Sequence, residues 1–142
     1  GGRHVPAVVI GPAEIEMARL RLSTVHDGRI GAVSLGAPHY SARELESLIE
    51  LLGNRIVSIP TYVNTSRDVV AGTGDIVARL EECGITIVVD TCTYITPIID
   101  PSVRVVMTDS AKWAFYAPGN LGVEVMFGSR QDCVEAALTG EV

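Results

Sequence analysis

The amino-acid sequence predicts an α/β fold, a three-layer α/β/α sandwich built on a mainly parallel sheet. Short runs rich in Val, Ile and Leu alternate along the chain with segments whose apolar residues recur at helical spacing. Most of these runs are continuously apolar, which is typical of parallel strands buried on both faces. Strands that alternate with helices imply right-handed crossovers, which place helices on both faces of the sheet.

Six strands are predicted from these runs. They cover residues 5–10, 30–35, 56–63, 85–90, 103–108 and 123–127. Pro60 lies inside the third run and has no backbone N–H to donate to a neighbouring strand. It therefore marks either the true start of that strand or an edge position.

Four helical segments are marked by apolar stripes and end signals, over residues 14–23, 42–52, 75–83 and 129–138. The stripes of the first two are formed by Ile15, Ala18 and Leu22, and by Leu45, Leu48, Ile49 and Leu52. Ser41 and Glu44 form a capping box that marks the start of the second helix. Gly84 is expected to adopt the left-handed conformation that ends the third helix, and Ser129 is expected to cap the fourth.

Composition and charge limit the kinds of function that the chain can have. Its 142 residues suit a single domain, and 47% hydrophobic with 20% charged residues is ordinary for a globular protein. The formal net charge of −6, without a basic cluster, argues against a nucleic-acid partner. The longest apolar runs, such as residues 85–89, are too short to cross a bilayer, so no membrane partner is expected.

The three cysteines cannot all pair within the chain, and they form no CxxC motif. A reducing compartment, by default the cytoplasm, is therefore expected. Cys83 and Cys133 lie on helical segments and are predicted to be buried structural residues. Cys92 directly follows a predicted strand, where two interpretations are equally favoured: a small buried side chain, or a thiolate that binds a metal or acts as a nucleophile.

Polar residues follow the carboxyl ends of the predicted strands. Ligands of α/β folds bind beyond these ends, where helix N-termini also gather. We therefore expect His39, Ser66, Cys92 and Ser110 to lie at one edge of the sheet. This convergence predicts an enzyme site, although a lone loop histidine is more often a surface or hydrogen-bonding group.

Several residues in these loops have both a capping and a ligand-binding interpretation. Ser and Thr at the starts of helices are most often N-caps, which applies to Ser41, Thr65, Ser110 and Ser129. Arg67 and Lys112 fall in first helical turns, where a cation opposes the helix dipole. An anionic partner would offset that penalty. Taken alone, these residues support an anion-binding site and name no reaction.

Five motifs resemble, in order and spacing, the later part of the catalytic subunit of the aconitase X family. They are residues 36–41 with Glu44, 65–67, 90–94, 108–112 and 116–119, and the tail from 127 to 140 is similar to the family's C-terminal stretch. The resemblance covers residues 30–142 and, more loosely, the first 29. It implies an enzyme that dehydrates small hydroxy acids with a cysteine-held iron–sulfur cluster.

The resemblance also implies roles for individual residues. Cys92 becomes a cluster ligand, and an open iron site would act as a Lewis acid on the departing hydroxyl. The implied catalytic residues are His39, Ser66 and Lys112. The implied substrate-binding residues are Arg67, Thr65, Ser110 and Asp109, with Arg67 gripping a carboxylate through a bidentate pair.

The family's full enzyme is longer and includes a small swivelling domain or subunit, which is the expected partner. The chain, which begins with Gly1 and Gly2, is therefore expected to be a single-domain fragment, residues 1–142, that is inactive alone. A cis-3-hydroxy-L-proline dehydratase is favoured, because some members carry cysteine where this chain has Ala37 and because Tyr40, Trp113 and Tyr116 resemble the bacterial type.

Three other functions remain open from the sequence. The first is a phosphomevalonate dehydratase of the same family. The second is an α/β binding domain without chemistry. The third is a thiol enzyme in which Cys92 is the nucleophile and His39 the base.

Overall fold

The strands form one five-stranded sheet in which every neighbouring pair is parallel. The computed structural model describes residues 7–142. The strands of the described chain are β1 (Ala32–Tyr40), β2 (Thr61–Thr65), β3 (Ile85–Val89), β4 (Val105–Thr108) and β5 (Glu124–Phe127). Their spatial order is β3-β2-β1-β4-β5. The mainly parallel sheet predicted from the continuous apolar runs is therefore confirmed.

Helices cover both faces of the sheet, as the three-layer prediction requires. They are α1 (Pro12–Leu22), α2 (Ala42–Leu52), α3 (Arg67–Gly72), α4 (Gly74–Glu82), α5 (Ala111–Leu121) and α6 (Arg130–Thr139). Buried side chains of α2, α4 and α6 form one apolar core against the sheet. The buried side chains of α5, with Leu22 of α1 at its margin, form a second core on the opposite face. None of the helices in the described residues is long and apolar enough to cross a membrane.

The second helix shows why these segments fold as they do. Leu45, Leu48, Ile49 and Leu52 recur at helical spacing, and all four are at most 4% exposed. The Ser41 backbone N–H donates to Glu44 Oε2 at 2.9 Å, which is half of a capping box and satisfies a donor at the helix end. The sequence prediction for α2 is confirmed to the residue. Gly84 is also left-handed as predicted, with φ +87°.

The connection from β3 to β4 carries no helix and is held by buried polar side chains. The Trp113 indole N–H donates to Thr93 Oγ1 at 2.8 Å, and the Thr93 and Ser34 hydroxyls are hydrogen-bonded at 2.6 Å. Tyr94 and Ile99 of the same connection are buried in the second core. These contacts place the residues that follow β3 beneath the carboxyl ends of the central strands.

The predicted first strand, residues 5–10, is wrong over the part that the structure describes. Residues 7–10 belong to no strand, and Val8 and Val9 are 85% and 86% exposed. Residues 5–6 lie outside the described residues. A segment rich in β-branched residues forms a strand only where a neighbouring strand has free backbone groups to pair with it. The outer edge of β5 is already occupied by the chain around Thr24, whose N–H donates to Val125 O at 2.8 Å. The stripe on α1 is also not buried at Ile15, which is 54% exposed.

The predicted third strand begins five residues too early. β2 begins at Thr61, immediately after Pro60, so the proline marks the true start of a central strand. Before it, the Val57 N–H donates to Cys83 O at 2.9 Å and the Ser58 N–H to Ala137 O at 2.8 Å. These residues therefore bond to chain segments outside the sheet.

Candidate active-site cleft

A cleft opens at the topological switch point of the sheet, where successive strands are added first on one side of β1 and then on the other. From β1 the chain proceeds outward through β2 to β3, and it then crosses back to β4 and β5 on the other side of β1. Doubly wound α/β folds bind ligands beyond the carboxyl ends of the strands at this switch point. Here a cleft of about 330 Å³ is lined by residues 36–40 of β1, residues 109–112 after β4, Glu44 of α2 and Arg130 of α6.

One wall of the cleft is an outward excursion in the second half of β1. Leu35 pairs with Val63 and Tyr40 with Thr65, so residues 36–39 lie opposite Asn64 alone. The Asn64 amide donates to Leu35 O at 2.6 Å and its carbonyl accepts from the Thr93 N–H at 3.2 Å. This anchoring leaves the backbone of residues 36–39 displaced from the ladder, with a cis peptide bond between residues 37 and 38. The loop predicted after Leu35 is thus part of an irregular strand.

The opposite wall is the start of α5. Ser110 Oγ accepts from the Trp113 N–H at 3.1 Å, which confirms the N-cap interpretation of Ser110. The same hydroxyl donates to the carbonyl oxygen of Ala37 in the excursion of β1. Ser110 therefore ties the two walls together, and the residue itself is 8% exposed.

Four charged or polar side chains form a network at one end of the cleft. The Tyr40 hydroxyl donates to Asp109 Oδ2 and accepts from Arg130 Nε at 2.8 Å. The Arg130 guanidinium also donates to Glu44 Oε1 at 3.3 Å and lies 3.6 Å from Asp109 Oδ2. Its central carbon stacks 4.6 Å above the centre of the Tyr40 ring. The network joins the ends of β1 and β4 to the starts of α2 and α6.

The electrostatics of this network favour the charged forms of Glu44 and Arg130 and the neutral form of Tyr40. Burial, followed by the neighbouring Asp109 charge, raises the pKa of the Tyr40 phenol far above its ordinary value. Burial opposes ionisation of Glu44, but hydrogen bonds from Ser41 and the Arg130 charge outweigh it and lower the pKa of Glu44. Burial likewise disfavours the Arg130 charge, yet Tyr40, Asp109 and Glu44 raise the pKa of Arg130. Tyr40 is therefore a neutral hydrogen-bond donor at physiological pH.

Arg130 owes its place to the cap of α6. Ser129 and Asp132 bond reciprocally: the Ser129 N–H donates to Asp132 Oδ2 at 2.8 Å, and the Asp132 N–H donates to Ser129 Oγ at 3.2 Å. Hydrogen bonds from the Ser129 side chain and backbone lower the pKa of Asp132. The stability that this provides is present above the ordinary pKa of aspartate and is lost as pH falls through the lowered value.

Replacing Ser129 with alanine is expected to raise the pKa of Asp132 toward its ordinary value, because the hydroxyl donor is removed. Carboxyl NMR titration of the variant and the parent would measure the change. Asp100 is the internal control, since its lowered pKa comes from Ser102. An unchanged pKa of Asp132 beside an unchanged Asp100 would contradict the assigned cause.

The structure brings the predicted site residues to one edge of the sheet, as expected. His39 is the penultimate residue of β1, and Ser66, Cys92 and Ser110 follow the ends of β2, β3 and β4 of the parallel sheet. Four of the eight predicted residues line the cleft itself: His39, Asp109, Ser110 and Lys112. His39 Nε2 lies 3.2 Å from the carbonyl oxygen of Thr91. Because that oxygen can only accept, Nε2 is the donor of this bond.

The three predicted residues at the end of β2 and directly after it lie beside the cleft rather than in its lining. Thr65 is 0% exposed, and its hydroxyl donates to the Tyr40 carbonyl oxygen at 2.7 Å. The N-cap of α3 is Ser66, whose hydroxyl accepts from the Val69 N–H at 3.3 Å, so the capping prediction for Thr65 is wrong by one residue. The Arg67 side chain is 79% exposed and pairs with Asp90. Their substrate roles stay predictions.

Cys92 is partly buried against the core formed by α5 and does not line the cleft. Burial raises the pKa of its thiol and the nearby Lys112 charge opposes this, which weakens the interpretation of Cys92 as a free thiolate nucleophile. Cys83 and Cys133 are buried in the core on the other face, as predicted. The described residues contain no group of three His, Cys, Asp or Glu side chains that could hold a metal ion. An iron–sulfur cluster therefore does not fit this donor set alone, to which Cys92 can contribute one sulfur.

Sequence reasoning missed the contributions of Tyr40, Glu44 and Arg130 to the cleft. The capping box accounts for Glu44 in the sequence, but only one of its carboxylate oxygens caps the helix, and the other accepts from Arg130. One signal was available for Arg130. Like Arg67 and Lys112, it is a cation in the first turn of a helix, where the macrodipole disfavours it unless an anion lies near.

The sequence of most of the chain matches a known family, which bears directly on this cleft. Residues 30–139 match the aconitase X third domain. The chain belongs to the aconitase X family. The match includes all five strands and every residue that lines the cleft. The cleft of this chain therefore lies within its aconitase X third domain.

Relatives of two kinds are similar to this aconitase X chain. It is 37% identical over 138 residues to the cis-3-hydroxy-L-proline dehydratase of Pseudomonas aeruginosa, covering 92% of this chain and 24% of that protein. It is 34% identical over 109 residues to the phosphomevalonate dehydratase large subunit of Methanosarcina mazei, covering 77% of this chain and 27% of that subunit. The chain thus spans about a quarter of the length of these relatives.

The crystal structure of Thermococcus kodakaraensis aconitase X has the same fold. The two superpose with a TM-score of 0.77 at 24% sequence identity, over 92% of this chain and 34% of that chain. The predicted α/β architecture and the predicted family are both confirmed.

Proposed function

We propose that this chain is the part of an aconitase X-type hydro-lyase that supplies one side of its substrate site, and that the complete enzyme dehydrates a small hydroxy acid. The observation that carries the proposal is the cleft at the switch point, in which Lys112 and His39 face residues of the network around Asp109. Cis-3-hydroxy-L-proline is the proposed substrate, in keeping with the relative from Pseudomonas aeruginosa. A phosphomevalonate dehydratase is the second candidate, since relatives of that name match as well.

A dehydration removes a proton from carbon and expels a hydroxyl group. The cleft contains residues that can bind the substrate and accept that proton. Lys112 is exposed at the cleft and binds the substrate carboxylate. His39, with Nε2 bonded to Thr91, offers Nδ1 as the base that takes a proton from carbon. Ser110 keeps the walls together through Ala37. Ser66, Thr65 and Arg67 extend the site on the side of β2, where Arg67 reaches an anionic group only by leaving Asp90.

The proposed cofactor is an iron–sulfur cluster to which Cys92 gives one thiolate. When bound, such a cluster supplies a Lewis acid for the departing hydroxyl. The remaining sulfur ligands then come from other parts of the enzyme, and so does the small swivelling domain or subunit that closes the site. A reducing compartment, the cytoplasm, suits the three unpaired cysteines.

Turnover of both candidate substrates by the complete, anaerobically prepared enzyme tests this function. Water loss from cis-3-hydroxy-L-proline is expected, and Lys112→Met is expected to lower kcat/KM about 10–100-fold, because a charged hydrogen bond contributes about 1.5–3 kcal/mol. Arg79→Gln, an exposed change on α4, is the control and should leave turnover unchanged. The isolated chain should show no turnover. Absence of turnover with either substrate by the complete enzyme would refute the proposal.

A further inference from the structure

We propose that Asp109, held in place by Tyr40 and Arg130, selects a substrate that carries an ammonium group. The cleft then takes a zwitterionic hydroxy imino or amino acid in preference to a phosphorylated hydroxy acid. This inference rests on the function proposed above and adds to it a residue that sets the substrate class, together with two positioning residues.

The geometry fixes Asp109 while leaving it able to reach a ligand. One of its carboxylate oxygens accepts from the Tyr40 hydroxyl and lies 3.6 Å from Arg130 Nε. The Asp109 side chain remains 12% exposed and lines the cleft. Tyr40 is 3% exposed and Arg130 is anchored to Glu44 on its far side, so neither is free to rotate away from the carboxylate. Asp109 is therefore a preorganised hydrogen-bond acceptor.

The balance of charge in the cleft favours a ligand without net charge. Its lining contains two carboxylates, Glu44 and Asp109, and two cations, Lys112 and Arg130. Arg130 is shared between both carboxylates, whereas Lys112 makes no ion pair within the described residues. A zwitterion can place its carboxylate at Lys112 and its ammonium at Asp109. A phosphate would instead add charge beside two carboxylates, with Lys112 as its available counterion.

Two ring compounds of nearly equal shape test the proposal in the complete enzyme. L-proline carries a ring ammonium, and tetrahydrofuran-2-carboxylate has an oxygen at that position. Binding of each is measured by calorimetry, so that turnover is not required. The parent enzyme should bind L-proline at least about 10-fold more tightly, since the charged hydrogen bond to Asp109 is made by the ammonium alone.

Variants of the network separate a selecting role from a structural one. Asp109→Asn should reduce the preference for L-proline to about 1–3-fold, by weakening L-proline alone. Arg130→Gln should reduce the preference in part, and Arg130→Lys should restore some of it. Tyr40→Phe, which removes one hydroxyl from Asp109, serves if Asp109→Asn does not fold, and it too should lower the preference. Glu135→Gln, an exposed carboxylate change on α6, should leave the preference unchanged.

The outcomes distinguish this inference from the proposed function. Equal weakening of both compounds by Asp109→Asn would show a structural role and overturn the inference, even in an enzyme that turns over hydroxyproline. So would a parent enzyme that binds both compounds equally. A preference for L-proline that depends on Asp109, in an enzyme without dehydratase activity, would support the inference while the proposed function fails.

Discussion

Replacing Cys92 with alanine in the complete enzyme is expected to remove iron, visible absorbance and dehydratase activity together. A cluster held by a minimal set of thiolates does not tolerate the loss of one. Mutation of residues that only hydrogen-bond to metal ligands already lowers metal affinity or activity about 10–100-fold. Removal of a direct ligand should therefore lower dehydratase activity by more than about 100-fold. Iron analysis, absorbance and turnover on one anaerobic preparation would measure all three.

A matched variant separates loss of the cluster from loss of the fold. Cys83→Ala also removes a thiol, but Cys83 is buried in the core on the opposite face of the sheet. It should lower stability and keep iron bound. If Cys92→Ala retained its full iron content, the proposed ligand role would be wrong and the thiol would be a packing residue of the α5 core.

Replacing Gly36 with alanine is expected to destabilise the domain by about 3 kcal/mol, one of the larger effects of a single methyl group. Gly36 has φ +80°, where a side chain alone costs about 1–2 kcal/mol. A Cβ there would also lie 2.5 Å from the backbone oxygen of Asn64. Residues 36–39 of β1 would have to shift to avoid that contact. Because these residues line the cleft, its shape should change as well.

Urea unfolding of the parent and the variant would measure this loss. Gly119→Ala is the control, because Gly119 lies in α5 with no atom within 4 Å of an added Cβ. There alanine should be neutral or stabilise by up to about 1 kcal/mol, since it lowers the entropy of the unfolded chain. A Gly36→Ala domain within about 0.5 kcal/mol of the parent would mean that β1 tolerates the change.

Local signals predicted the features whose causes are local. The helical spacing of Leu45 and Leu52 and the capping box at Ser41 act within one segment, and α2 has the predicted bounds. The end of α4 just before Gly84 follows from backbone freedom at that one residue. The general edge of the sheet at which His39 and Cys92 lie follows from parallel strand direction alone.

Features that need a distant partner were missed. The run at residues 7–10 is as apolar as a strand, but no neighbouring strand pairs with it in the described chain. The excursion of β1 depends on Asn64, whose side chain bonds both Leu35 and Thr93. Arg130 reaches Tyr40 across 90 positions of sequence, and its place in the first turn of α6 indicates a nearby anion without identifying Tyr40.

The sequence by itself determined the α/β class, the parallel sheet and the edge at which the site lies, because strand direction and apolar periodicity are properties of single segments. The family followed from the resemblance of five motifs along the chain. Tertiary structure alone decided the strand order, and with it the pairing of β1 with β4 that opens the cleft. It also decided which charges meet there. Asp109 faces Tyr40 and Arg130, whereas Arg67 is held by Asp90, because an ion pair depends on the distance between side chains after the sheet has formed.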